Sequence, residues 1–256
     1  MARIKDPLEL DILREAGKRH ARILSAVAAA VRPGISTKEL DAIAMDLLHK
    51  DGDEAAFLNY SPHGSPYPYP AAVCISINEE VVHGIPSGRI LIEGDIVSLD
   101  FGVKHKGMIT DAAITVPVGD IPARTQELID LTRGALYAGI DVMKAGNRIG
   151  DIGAAIEAHV KPHRLGLIRD LGGHGVGHAV HEEPFVPNFG TRGTGSMLTP
   201  GMVLAIEPMF TLGSPAVVVE EDGYTIRSAD RSLSAHFEHT VIITSDGPEV
   251  VTEFES

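Results

Sequence analysis

Apolar residues recur at helical spacing near the start of the chain: Leu10, Leu13, Ala16, Gly17, His20, Ile23, Leu24, Val27 and Val31 share one face. Asp6-Pro7-Leu8-Glu9 opens this helix, with Asp6 as cap, Pro7 at the first helical position and Glu9 closing a capping box. Pro33-Gly34 ends it. A second capping box, Ser36-Thr37-Lys38-Glu39, leads a helix whose buried face is Leu40, Ile43, Ala44, Leu47 and Leu48. His20 lies on the first apolar stripe and reads as a core or edge histidine, not a ligand.

The pattern then changes. Asn59 to Pro70 sets three Tyr among four Pro and a Gly, a connecting loop stiff enough to wall a pocket. Ala72 to Ile77 is a strand, and His83-Gly84-Ile85-Pro86 is a strand-to-turn exit. Ile90 to Val103 reads as strand broken by a Glu93-Gly94-Asp95 turn, and Lys104 to Gly107 is a hairpin turn before Met108 to Val118. A helix begins at Ile121-Pro122 and runs to Ala145-Gly146, and another covers Asp151 to Val160. Leu171 to Pro184 holds three histidines and two glutamates among glycines, too glycine-rich for a good helix. Strands follow around Met202 to Phe210, Ala216 to Val219 and Ala235 to Thr244.

The chain echoes itself. Val31-Arg-Pro-Gly before one helix matches Met143-Lys-Ala-Gly before another. Leu91 to Asp100 matches Leu198 to Glu207 in the same way. Two such copies imply a pseudo-twofold domain, since a solenoid needs at least about three repeats. The expectation is one α+β domain over residues 1–256, with halves of roughly 1–120 and 121–256.

Composition narrows the class. Hydrophobic residues at 44% and charged residues at 22% describe an ordinary globular chain. A net charge of -13 argues against a nonspecific grip on nucleic acid. Cys74 is the only cysteine, so no intrachain disulfide can form, which suits a reducing, cytoplasmic setting. Met1 to Asp6 has no signal-peptide layout and no run is long enough to span a membrane.

Against that background, four carboxylates are misplaced. Asp100 ends the apolar run Ile96 to Leu99, and Asp111 returns across the hairpin to face it. Glu207 lies within Ala205-Ile206-Glu207-Pro208-Met209, and Glu238 within His236-Phe237-Glu238-His239. Charged groups are seldom buried unless paired or bound to metal. Two close carboxylates repel and raise a pKa, which a cation between them relieves. With His174 the set offers hard oxygen donors and one imidazole, a mixture suited to Mn, Fe(II), Co or Zn.

Five segments in order carry a resemblance: Cys74 to Pro86, Gly173-His174-Gly175-Val176-Gly177, His181-Glu182-Glu183-Pro184, Ile206-Glu207-Pro208-Met209 and Phe237-Glu238-His239-Thr240. In these the chain resembles the methionine aminopeptidases of type I, over nearly its whole length. The resemblance implies the pita-bread (creatinase/aminopeptidase) fold in a single catalytic domain. It implies two divalent ions held by Asp100, Asp111, His174, Glu207 and Glu238, with Asp111 and Glu238 bridging. It implies that metal-activated water attacks the first peptide bond and removes an N-terminal methionine before a small second residue. His83 and His181 would contact the substrate and the developing tetrahedral centre, Glu207 would shuttle a proton, and Tyr69, Cys74 and Tyr224 would form the methionine pocket. Implied partners are N-terminal Met peptides and nascent chains, with transient ribosome contact, no membrane, and a monomeric state.

The chain departs from the pattern in places. Val180 stands where a larger aromatic is expected and Tyr224 where a tryptophan is common. Asn78 and Ser234 match a monovalent-cation site of some relatives, but Glu80 replaces an apolar residue there. His178 is expected to be exposed and not an extra ligand. Two other readings stay open: an Xaa-Pro aminopeptidase or dipeptidase of the same fold, and a non-enzymatic binding relative. A phosphate-binding loop is excluded, because no Gly-Lys-Ser/Thr element follows the glycines.

Overall fold

In the computed structural model, which describes residues 3–62 and 64–253, helix α1 spans Pro7–Ala30 and α2 spans Thr37–Asp51. Met1, Ala2 and His63, on which parts of the expectations above fall, lie outside the described residues. Both helices open with the expected reciprocal capping box, Asp6 with Glu9 and Ser36 with Glu39. Helix α3 spans Ala123–Ile140 and α4 spans Ile149–Val160. The former stops short of Ala145, because the Asn147 side chain takes the Val142 carbonyl and turns the chain aside.

Five strands lie between α2 and α3: β1 Glu54–Ala55, β2 Cys74–Ile77, β3 Glu80–Val82, β4 Ile96–His105 and β5 Met108–Pro117. After α4 come β6 Gly166–Leu167, β7 Gly172–Gly175, β8 Glu182–Pro187, β9 Val203–Ile206 and β10 Met209–Thr211. They are followed by β11 Val217–Val219, β12 Ile226–Ser228, β13 Ser234–His236, β14 His239–Ile243 and β15 Pro248–Val250. Two runs expected as continuous strands are interrupted, at Glu207-Pro208 and at Phe237-Glu238. Each break falls on a carboxylate of interest.

All pairing is antiparallel. In the first half β4 carries β1 and β2 on one edge and β5 on the other. In the second the order is β15-β14-β9-β7-β8. Helix α1 packs on β4 and β5 through Leu13, Ile23, Leu24 and Val27, all fully buried. Helices α3 and α4 pack together against the second half.

The echo in the sequence has a structural counterpart. Gly34 N–H donates to Leu91 O and Leu91 N–H to Ile35 O, at 2.8 and 2.9 Å. Gly146 donates to Leu198 O and Leu198 to Asn147 O in the same pattern, at 3.0 and 2.7 Å. Both glycines need a left-handed backbone, with φ of 90° and 94°.

The halves meet at a seam beside β5. Ala113 and Glu238 exchange backbone hydrogen bonds of 3.3 and 2.8 Å. Two residues either way, side chains take over. Thr240 Oγ1 accepts from Asp111 N–H and donates to Asp111 O, both at 2.8 Å. Thr115 Oγ1 accepts from His236 N–H at 2.9 Å and donates to His236 O at 2.8 Å.

Candidate metal centre

The strand period of two decides which side chains share this seam. On β4 Asp100 is in register with Ala113, and Asp111 with Gly102. The two carboxylates are therefore diagonal neighbours on one face, not directly opposed as the hairpin alone suggested. Glu238 enters from the bridge with Ala113. His174, on β7, is in register with Ala205 of β9, and Glu207 leaves the end of β9 two residues later. Asn188 Nδ2 donates to the Glu207 carbonyl at 3.0 Å, holding the chain where the strand breaks.

Ligand atoms of Asp111, His174 and Glu238 all lie within 4.8 Å of one another. Glu207 Oε1 is 3.4 Å from His174 Nε2. All five expected ligand residues line one cavity of about 150 Å³, together with His83, His181, Tyr69, Cys74 and Tyr224.

Two observations fit a cation here. His174 Nδ1 bonds the Gly175 carbonyl at 2.9 Å, so its proton lies there and the Nε2 lone pair faces the Glu207 carboxylate. A lone pair aimed at a carboxylate is repulsive unless a positive charge comes between. Asp100 Oδ1, Asp111 Oδ1 and Glu238 Oε1 are also buried with no hydrogen-bond donor among the described residues, a costly state for an anion left unpaired.

The electrostatics follow. Burial, then the charge of Asp111, pushes Asp100 well above the usual carboxylate range. Burial raises Asp111 to about 7. Glu207 and Glu238 are pushed well up by burial and by their acidic neighbours. Burial lowers His174 to about 3 and His83 to about 4, so both are neutral near pH 7. The site without metal is thus over-supplied with acid, and a divalent ion supplies the missing charge.

The model for metallopeptidase family M24 matches residues 11–245. The chain belongs to this family. Within it, the chain is 44% identical over 254 residues to the methionine aminopeptidase of Treponema pallidum (strain Nichols), covering 99% of this chain and 97% of that one. It is 45% identical over 249 residues to the methionine aminopeptidase of Aquifex aeolicus (strain VF5), covering 96% of each. The crystal structure of the Thermotoga maritima methionine aminopeptidase superposes with a TM-score of 0.95 at 42% identity, over 99% of this chain and 100% of that chain. An Xaa-Pro dipeptidase from Bacillus anthracis shares the fold, with a TM-score of 0.77 at 23% identity, but this chain covers only 62% of it. The pita-bread α+β architecture and the M24 metallopeptidase class are therefore facts about this chain, and M24 membership brings divalent metal with it.

For an M24 protein the rest of the cavity is informative. Tyr69 is buried, donates to the Gly84 carbonyl at 2.9 Å and meets Tyr224 edge-on at 5.2 Å. Tyr67 covers Tyr224 from another side at 5.3 Å. Tyr67 thus joins the two expected pocket tyrosines, packing on the ring that stands where a tryptophan is common. Val180, with Phe57 and Pro62, completes the apolar lining. Cys74 is buried and in register with Asp100, so the aromatic pocket and the acidic cluster adjoin.

Two residues of the site escaped the sequence reading. Tyr60 OH lies 2.7 Å from His181 Nδ1. It was visible only as one more tyrosine in a proline-rich loop. His236 is 1% exposed and neither ring nitrogen has a hydrogen-bond partner among the described residues, while Nε2 lies 3.8 Å from Glu207 and 4.0 Å from Glu238. Its spacing of two from Glu238 was the available signal.

Two histidines lie elsewhere. His20 is fully buried against Phe101, with Nδ1 3.1 Å from Thr110 Oγ1, as a core histidine should be. His178 does not line the cavity, but neither is it exposed as expected. It is half-buried, with Nε2 2.7 Å from Glu9 Oε1, because the first turn of α1 packs over its loop. At the matched cation positions, Ser234 Oγ lies 3.1 and 3.0 Å from the carbonyls of Asn78 and Glu80. The Asn78 side chain instead bonds Asp95 and the Ile96 amide.

Proposed function

We propose that the protein removes N-terminal methionine from peptides and nascent chains, preferring a small second residue. The observation that carries this reading is the adjacency of an acidic, cation-seeking cluster and an apolar tyrosine pocket within one small cavity. A free α-amino group would sit among the carboxylates and the methionine side chain between Tyr69, Cys74 and Tyr224.

Asp100, Asp111, His174, Glu207 and Glu238 would hold two divalent ions; Co, Mn, Fe(II) and Zn all suit these donors. The ions when bound supply a hydroxide-like nucleophile near neutral pH and polarise the scissile carbonyl. Burial raises the Tyr60 phenol, which keeps its proton and would act as the hydrogen-bond donor to His181 Nδ1. The His181 proton then lies on Nε2, and burial keeps this ring neutral. Such a ring donates a hydrogen bond to a developing oxyanion without first losing a charge. His83, also neutral, would bond the scissile amide, and Glu207 would carry a proton to the leaving nitrogen. Residues 1–256 would act as one catalytic domain whose halves each contribute ligands. The Asn78, Glu80 and Ser234 oxygens would offer a monovalent cation a secondary site.

The test is release of methionine from Met-Ala-Ser by protein loaded ion by ion, set against Ala-Pro peptides. Methionine release with the Ala-Pro bond left intact is the expected result. Faster turnover of Ala-Pro would move the reading to an Xaa-Pro peptidase.

A further inference from the structure

Outside the cavity, buried charge concentrates beneath the loop that bears His181. The Lys5 side chain is 1% exposed and its Nζ lies 2.7 Å from Glu182 Oε2. The other oxygen of Glu182 accepts the backbone N–H of His178 and of Ala179, at 2.6 and 3.1 Å. This carboxylate therefore closes the loop on itself, and the residues at its turn, Val180 and His181, both line the cavity. Glu9, one helical turn beyond Lys5, reaches His178 Nε2 at 2.7 Å.

The backbone is shaped for this contact. Lys5 N–H donates to Gly201 O at 2.9 Å. Gly177 has φ of 139°, and a Cβ there would stand 2.5 Å from Lys5 Cε. On its other side, Gly177 O accepts from Ile109 N–H at 2.6 Å. The loop is clasped between β5 and residues Lys5–Glu9.

We propose that Lys5–Glu9 is a strap that positions His181, with Lys5 and Glu182 as the positioning pair. The inference rests on the role given to His181 above. A lysine normally extends its ammonium into water along an apolar stem. Here the ammonium is buried, and desolvation lowers its pKa against the pull of Glu182. A buried ion pair is weak evidence of stabilisation, because desolvation offsets attraction. What this pair does fix is the orientation of a carboxylate that holds two loop amides. Without Lys5, Glu182 is a buried anion lacking its counter-ion. It would turn towards water, release both amides, and let His181 drift from Tyr60 and the cavity.

The test uses the full chain carrying Lys5→Met. The kcat for Met-Ala-Ser should fall between about 10- and 100-fold, the size expected of a misplaced catalytic group. KM should change less than kcat, since Val180 is the one apolar lining residue on this loop and the pocket tyrosines stand elsewhere, and metal content should hold, because the expected ligands lie outside the loop. Glu182→Gln combined with Lys5→Met should be no worse than Lys5→Met alone, since both break one device. Arg14→Leu, which cuts the ion pair between α1 and Glu249 of β15, controls for general loss of stability and should leave kcat unchanged. Long-range 1H–15N spectra of the histidine rings give a readout independent of turnover: the His181 signals should shift in Lys5→Met and not in Arg14→Leu. Multiplicative losses in the double variant, an equal loss in Arg14→Leu, or unmoved His181 signals would overturn the strap. Failure of wild-type protein on Met-Ala-Ser would instead overturn the peptidase reading and leave the spectra to decide on the strap.

Discussion

His83 adopts φ of 62°, a left-handed conformation uncommon for a residue with a side chain, immediately before Gly84. Gly84 cannot be replaced without cost: a Cβ there would stand 2.3 Å from Ile75 O. The strained turn is fastened to β2 by Ile75 N–H to Gly84 O at 2.8 Å, and it places an imidazole in the cavity. Loss of a supporting contact around a metal ligand costs about 10–100-fold, so loss of a ligand should exceed that. Asp111→Asn is expected to abolish metal-dependent methionine release with the fold intact, measured by turnover, metal content and circular dichroism. His181→Ala should keep its metal and lose about 10²–10³ in kcat, as removal of an oxyanion donor does. At this scale the sequence was informative where a residue conflicts with its neighbours. Asp100, Glu207 and Glu238 stand in apolar runs and could be picked out. Tyr60 could not, because nothing local distinguishes it; its role comes from His181, 121 positions away.

Helices and the central hairpin were readable because their signals are local: capping boxes, a 3.6-residue period, a Lys-Gly turn. Short strands such as β6, β12 and β15 were not, since each is defined by a distant partner and not by its own pattern. The half-buried state of His178 was hidden for the same reason. One glycine shows tertiary contact overriding local propensity. Gly17 lies mid-helix in α1, where Ala would be favoured by about 1 kcal/mol. Its missing Cβ admits Val251 O to within 2.0 Å of where that atom would be. Forcing a side chain into such contact costs about 1–3 kcal/mol or more. Gly17→Ala should therefore lower Tm despite its better propensity, as calorimetry would show; a rise in Tm would mean that α1 moves freely against the segment that follows β15.

Over the whole molecule, protonation and metal binding are linked. A carboxyl whose folded pKa lies above its unfolded value contributes stability below the unfolded pKa and loses it as pH rises through the folded one. Asp111, raised to about 7 from an unfolded value near 3.8, behaves so in metal-free protein, and Asp100, Glu207 and Glu238 share the direction. His20, lowered by burial to about 3, works oppositely: its contribution is complete above pH 6.5 and fades as pH falls towards 3. His83, His174, His236 and His239 share this direction, and all settle about one unit above 6.5, so from about pH 7.5 to 8.5 the raised carboxylates dominate. Metal-free protein should lose Tm across that interval, and Mn or Co should restore it and flatten the curve; a metal-free Tm constant over the interval would count against a buried acidic cluster.

The seam along β5 has a consequence for how the protein comes into being. Asp100 and Asp111 are made first, His174 follows 63 residues after Asp111, and Glu207 and Glu238 come later still. On the ligand assignment proposed above, the cage closes only when Glu238 has crossed over to Ala113. A ribosome partway through this message would then hold an unfinished site, completed in one stroke by the late strands.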